Sequence, residues 1–184
     1  SDLEEGCPCW EALDYELDLM VADPVQTMPQ WLALRPKRII VHIESLSDPV
    51  TAFEELQVVR ESVELGVSFD TRSDVAKIEP YLSQVDFVQC MGIDEIGAQG
   101  QPFAPRVLGH LEYLRKKYPA LPLAVDGAVN LDTAEKLVVA GASRLAIGSA
   151  LFVGDFDENM SAFESLDRKS TRLNSSHQII SYAV

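Results

Sequence analysis

The sequence predicts an α/β protein: a parallel sheet with helices outside it. Three observations carry this. Leu123–Phe152, LAVDGAVNLDTAEKLVVAGASRLAIGSALF, reads as strand, turn, helix, turn, strand, the unit that a parallel pair requires. The alternation of strand and helix repeats from Leu17 onward, with strands near residues 18, 40, 67, 88, 124 and 146. Segments such as RIIVHI (Arg38–Ile43) are apolar without alternation, the pattern of strands covered on both faces.

Taken in order, Leu17–Val21 is a buried strand and Asp23-Pro24 is a turn that starts a helix. Val25–Leu34 is that helix, with Met28, Trp31 and Leu32 on one side. Arg38–Ile43 is the next strand, with Glu44 near its end. Pro49–Leu65 reads as a long helix carrying Phe53, Leu56, Val59 and Val63 at helical spacing. Gly66–Phe69 is a strand, and Ser73 or Asp74 caps a helix running to about Leu82. Val85–Met91 is a strand, Gly92–Pro102 a loop, and Ala104 to Tyr118 a helix. Leu123–Val125 is a strand that ends in the carboxylate of Asp126. Asn130 or Asp132 caps the next helix, and Gly141 ends it. Leu145–Ile147 is a strand, and Gly148-Ser149 opens a further helical segment. Two architectures fit: an open doubly wound sheet, or a closed (β/α)8 barrel lacking its first two units. Periodicity alone does not choose between them.

Bulk properties narrow the function. The formal charge of −14 disfavours nucleic acid and anionic membrane as partners, and 47% hydrophobic content supports a sizeable core. No apolar run approaches the ~20 residues of a membrane-spanning helix. Cys7, Cys9 and Cys90 are odd in number, Cys7-Pro8-Cys9 is too tight for a CxxC motif, and free thiols in a reducing compartment are expected.

The two ends stand apart. Residues 167–177, DRKSTRLNSSH, back-translate codon for codon into a common sequencing adapter, and Ile180–Val184 fits its continuation. Asp167–Val184 is therefore expected to be a non-native, disordered tail. It carries Arg168, Lys169 and Arg172 against Asp167, so without it the charge of −14 becomes −16. Ser1–Asp14 begins without an initiator Met, and a gene fragment cut at both ends is expected.

The choice of architecture comes from a resemblance. DLMVADP (Asp18–Pro24), VHIES (Val41–Ser45), QCMGIDEIGAQGQPF (Gln89–Phe103), VDGAVN (Val125–Asn130) and IGSALF (Ile147–Phe152) fall in order at matching spacing. They resemble the HLMVxxP, VHxEA, VMTVxPGFGGQxF, VDGGVN and AGSAIF motifs of the ribulose-phosphate 3-epimerase family. The resemblance implies an incomplete TIM (β/α)8 barrel over residues 1–166, carrying strands three to eight. It also implies interconversion of D-ribulose 5-phosphate and D-xylulose 5-phosphate, with two carboxylates moving the C3 proton through an enediolate. Asp126 matches one carboxylate. The other belongs to an HxDxMDG motif that this sequence does not contain.

Further site roles follow from the same resemblance. Gly97, Gly100, Gly127, Ala128, Gly148 and Ser149 are expected to hold the phosphate. Met20, His42 and Met91 are expected to line the pocket. A divalent metal (Zn, Fe, Mn or Co) is expected at Asp18 and Asp126, where Asp18 stands in place of a family His and changes the metal preference. PGFGG appears as EIGAQG, and VDGG as VDGA. The expected partner is a small phosphorylated sugar, with no nucleic acid and no membrane. A homo-oligomer and a cytoplasmic location are also expected.

Alternatives stay open at single residues. Asp126 could cap a turn, Asp18 could make a structural salt link, and His42 could be a satisfied core histidine. Met20 and Met91 could be core packing, and Gly148-Ser149 a plain helix start. For the whole chain, the alternatives are a non-catalytic phosphosugar-binding barrel or a phosphate-binding barrel lyase. The DxKxxD constellation of the latter is absent.

Overall fold

The computed structural model describes residues 12–98, 100–171 and 180–182, with side chains as far as residue 166. Among these residues the chain forms two compact units. One takes the chain to Phe69 and again over Val75–Val88; the other holds Asp70–Asp74 and everything from Gln89 onward. Every expected strand is present.

In the first unit β1 (Glu16–Leu19), β2 (Arg38–His42) and β3 (Glu64–Phe69) pair in parallel. Glu16 stands opposite Arg38, and Arg38 opposite Glu64. Ile39, Ile40 and Val41 are fully buried in succession, which is why β2 has no polar alternate positions. The crossovers are α1 (Pro24–Leu32) and α2 (Pro49–Leu56), each opened by an Asp-Pro pair. Proline presets φ at the first helical position, and Asp48 accepts the N–H groups of Val50 and Thr51.

Two helices expected from periodicity are shorter than expected. The long helix of residues 49–65 stops at Leu56. The Gln57 side chain there donates to Phe53 O at 2.9 Å and to Gln84 O at 3.1 Å. A 3-10 turn over Val59–Glu61 follows, and β3 begins at Glu64 rather than Gly66, because pairing with Arg38 claims that residue. The helix expected from Ser73 or Asp74 to Leu82 is instead two 3-10 segments, Val75–Lys77 and Glu79–Gln84. Pro80 lies in the first turn of the second segment, with no N–H to donate and a ring that collides with the carbonyl four residues earlier.

At the start of β3, Arg60 clamps both oxygens of Asp86, at 2.6 and 3.2 Å, and Asp86 also accepts the N–H of Leu65 at 2.8 Å. Gly66 leaves room for the Phe87 ring, which a Cβ there would meet at 2.4 Å.

β4 (Phe87–Met91) carries the chain into the second unit. There β5 (Leu123–Asp126) and β6 (Arg144–Ile147) pair in parallel, Ala124 opposite Arg144 and Val125 opposite Leu145. The helices are α3 (Arg106–Lys117) and α4 (Leu131–Ala140). Asn130 forms a capping box with Thr133, so Asn130 rather than Asp132 caps α4. Gly141 ends the helix at φ +118. Arg115 of α3 binds the orphan carbonyl of Gly141 through Nε and Nη2, at 3.1 and 2.7 Å, and reaches Pro119 O and Leu121 O through Nη1.

A last helix, α5 (Phe156–Thr171), and a short strand, β7 (Ile180–Tyr182), enter the stretch read as adapter. Leu145 of β6 stands opposite Ile180 in a parallel pairing. A strand edge accepts whatever extended backbone reaches it. We hold the foreign origin of residues 167–184 as a proposal. A chain ending at Leu166 is expected to melt no lower than the full chain. A loss of several degrees in calorimetry would show that β7 belongs to the evolved fold.

The Arg60–Asp86 pair has its own test. Burial alone would push the Asp86 carboxyl up. The hydrogen bond from Arg60, the Leu65 N–H and the Arg60 charge outweigh burial and hold it below the ordinary 3.8. A carboxyl depressed in the folded state contributes stability above that ordinary value and loses it as pH falls through the folded one. Arg60→Ala is therefore expected to lower the melting temperature at pH 7. The gap from the parent chain should narrow as pH falls below 3.8 and through the lower folded value.

Candidate active site

Each unit carries part of the expected site at the C-terminal ends of its strands. In the first unit, Asp18 on β1 and His42 on β2 meet. His42 Nε2 lies 2.7 Å from Asp18 Oδ1, with the imidazole 5% and the carboxylate 22% exposed. β1 and β2 run in register with Asp18 opposite Ile40, so Asp18 and His42 are one diagonal step apart on a shared face. Met20, just beyond β1, is half-exposed, and its N–H returns to Asp18 O at 3.2 Å.

In the second unit, the main chain at the ends of β4 and β5 is joined. Gly92 N–H donates to Asp126 O at 2.6 Å. The approach is so close that a Cβ on Gly92 would lie 2.0 Å from Gly127 O. Gly127 follows at φ +95, with its α-carbon against Ile93, and Ala128 follows at φ +53. The left-handed region is strained for alanine. Ala128 is held there because its carbonyl accepts Thr133 Oγ1 at 2.9 Å, inside the same capping box that starts α4. Asp126 is thus the last strand residue before a turn locked from both sides.

Gly148 and Ser149 leave β6 beside this turn, since Val125 and Leu145 are register partners. Ser149 opens a 3-10 turn and is exposed. Gly97 and Gly100 lie on the loop after β4, both exposed, at φ +83 and φ +70, with open space around their α-carbons. Met91 is buried, and its sulfur accepts from Gln89 Nε2 at 3.8 Å.

The sequence reading missed three features. Gly92 was only the first letter of a loop; its signal is a lone glycine at a strand end. Ser68 on β3 is fully buried and stands opposite His42 in register. Asp94, early in the β4–α3 loop, accepts Thr71 Oγ1 at 2.5 Å and Arg106 Nη2 at 3.0 Å, while Arg72 binds its carbonyl. The Thr71 hydrogen bond, followed by the charges of Arg106 and Arg72, holds the Asp94 carboxyl below its ordinary value against a smaller opposing effect of burial.

Comparison with known proteins assigns the chain. The profile of the ribulose-phosphate 3 epimerase family matches residues 9–152. The chain belongs to this family. It is 30% identical over 140 residues to the ribulose-phosphate 3-epimerase of Schizosaccharomyces pombe, covering 75% of this chain and 59% of that protein. It is 28% identical over 167 residues to the ribulose-phosphate 3-epimerase of Mycobacterium bovis, covering 84% of this chain and 70% of that one. The chain thus spans about three fifths of the fission-yeast relative. Among solved structures, orotidine 5'-monophosphate decarboxylase from Sulfolobus solfataricus matches with a TM-score of 0.60 at 13% identity, covering 86% of this chain and 75% of that one. That likeness speaks for a TIM-barrel-like α/β fold alone.

The family resemblance implied a divalent metal, and the described residues do not complete a site for one. Among the described residues no three His, Cys, Asp or Glu side chains gather where they could ligate an ion. In the first unit, Asp18 Oδ1 is already engaged by His42. A metal at either Asp18 or Asp126 therefore needs donors beyond these residues.

The joined strand ends give a paired test. Gly92→Ala is expected to destabilise the protein by about 2–3 kcal/mol, because its methyl group must displace the Gly127 carbonyl. Ala128→Gly is expected to stabilise it by about 1 kcal/mol, by removing left-handed strain from a fixed turn. Urea titrations of the two variants check both signs.

Proposed function

We propose that the gene product containing this chain is a sugar-phosphate epimerase that interconverts D-ribulose 5-phosphate and D-xylulose 5-phosphate. One observation carries the reading. In a member of this family, Asp126 ends β5 immediately before a glycine-alanine turn that is locked to Gly92 and to the cap of α4. A main chain so fixed holds the carboxylate's point of attachment steady while it takes or returns the C3 proton. In this reading β1–β6 are strands three to eight of a (β/α)8 barrel. The turns at Gly127-Ala128 and Gly148-Ser149, with Gly97 and Gly100 on the β4–α3 loop, offer backbone N–H groups to the phosphate. The partner is a small phosphorylated sugar, the location cytoplasmic and the assembly a homo-oligomer. Among the described residues no helix is long and apolar enough to cross a membrane.

Proton transfer on both faces of C3 requires a second carboxylate. The family's HxDxMDG motif is missing from Ser1–Val184. This chain by itself is therefore proposed to be inactive, with Asp126 serving one face only. The Asp18–His42 pair favours one other reading, a non-catalytic sugar-phosphate-binding barrel.

Solvent exchange separates the two readings. In heavy water, full-length protein is expected to wash the C3 proton out of D-ribulose 5-phosphate. Asp126→Asn should slow this at least about a hundredfold. Tight binding without exchange, with Asp126 intact, would leave only the binding reading standing.

A further inference from the structure

The first unit holds two buried polar atoms that make no hydrogen bond among the described residues: His42 Nδ1 and Ser68 Oγ. Both side chains are more than nine-tenths buried. They are register partners on adjacent parallel strands, so both project from the same face of the β2–β3 pair. Leaving two such atoms unsatisfied forfeits their hydration with nothing in return, and native proteins seldom leave them so. Their coincidence at one register position points to a shared missing partner.

The hydrogen-bonding capacities define that partner. Asp18 as a carboxylate only accepts, so His42 Nε2–H donates to Asp18 Oδ1 across their 2.7 Å contact. In the neutral imidazole Nδ1 is then a lone pair and accepts. Ser68 Oγ–H rotates freely and donates. A group that both donates and accepts through one oxygen joins the two: its O–H points at Nδ1, and its lone pair receives the serine proton. A phosphate or carboxylate oxygen has no proton for Nδ1 and is disfavoured. A hydroxyl oxygen fits.

We propose that Asp18, His42 and Ser68 form a slot for a single hydroxyl oxygen, filled by water in the empty protein and by a sugar hydroxyl in the occupied one. Asp18 is the positioning residue, fixing the tautomer and ring angle of His42. The sequence change at residue 18 thus gives the imidazole a carboxylate partner, and the site gains a neutral hydrogen-bonding position. The sugar half of the proposal rests on the sugar-phosphate reading above; the water half does not.

The test has two arms. A crystal structure of the ligand-free protein should show one ordered water within hydrogen-bond reach of both His42 Nδ1 and Ser68 Oγ. Calorimetric titration should show that Ser68→Ala weakens D-ribulose 5-phosphate binding roughly five- to tenfold, the loss of one neutral hydrogen bond, and leaves inorganic phosphate binding unchanged. A dry gap between the two atoms overturns the proposal. So does a Ser68→Ala variant that melts higher and binds the sugar phosphate as before, since that is how a merely unsatisfied hydroxyl behaves. Water in the slot of a protein that binds inorganic phosphate but not D-ribulose 5-phosphate supports the slot and overturns the sugar-phosphate reading.

Discussion

Parallel pairing is the constraint on which the molecule depends. Each strand of a parallel set must leave the sheet by the same end, and each return costs a crossover on the outside. The chain meets that cost with Asp-Pro starts at Asp23-Pro24 and Asp48-Pro49, and with the Asn130 capping box. Both faces of the sheet are then covered, as the unbroken burial of Ile39, Ile40 and Val41 shows. The irregular turns gather at the C-terminal ends of the strands, so chemistry-bearing side chains collect there within each unit. Asp18 with His42 in one unit, and Asp126 with Gly127 in the other, are products of this geometry before they are products of any reaction.

Strand positions were legible because burial on both faces leaves short, uninterrupted apolar runs that stop at polar or glycine residues. Helix lengths were less so. Phe53, Leu56, Val59 and Val63 keep a helical period past the point where α2 ends, because a 3-10 turn and a buried strand start ask for apolar residues too. At residues 75–84 the cap signals of Ser73 and Asp74 favour a helix, and Pro80 in the second 3-10 segment works against it. The Asp126 turn was readable from VDGA and from the family motifs. The pairing of Asp18 with His42 was not, since it joins residues 24 apart and depends on a register that only the folded sheet defines. Ser68 was invisible for the same reason: one serine in an apolar strand signals nothing until its neighbour across the ladder is known.

The departures from the family pattern are local adjustments with identifiable compensation. Ala128 occupies a backbone conformation that glycine adopts more cheaply, and the Thr133 hydroxyl on its carbonyl holds it there. The loop after β4 carries fewer glycines than the family motif. It is anchored instead by Asp94, which Thr71 and Arg106 hold in place. In each case backbone freedom gives way to a side-chain hydrogen bond, and the local geometry becomes dependent on residues outside the motif itself.

Cys90 lies in β4, fully buried, and burial pushes its thiol up to about 12. At neutral pH almost none of it is thiolate, and the apolar surroundings exclude reagents as well. The residue is chemically silent while the strand is in place and becomes an ordinary thiol when it is not. An alkylating agent followed through the Cys90 peptide by mass spectrometry therefore acts as a clock for β4. The labelling rate counts how often this strand opens, with a native residue as the reporter.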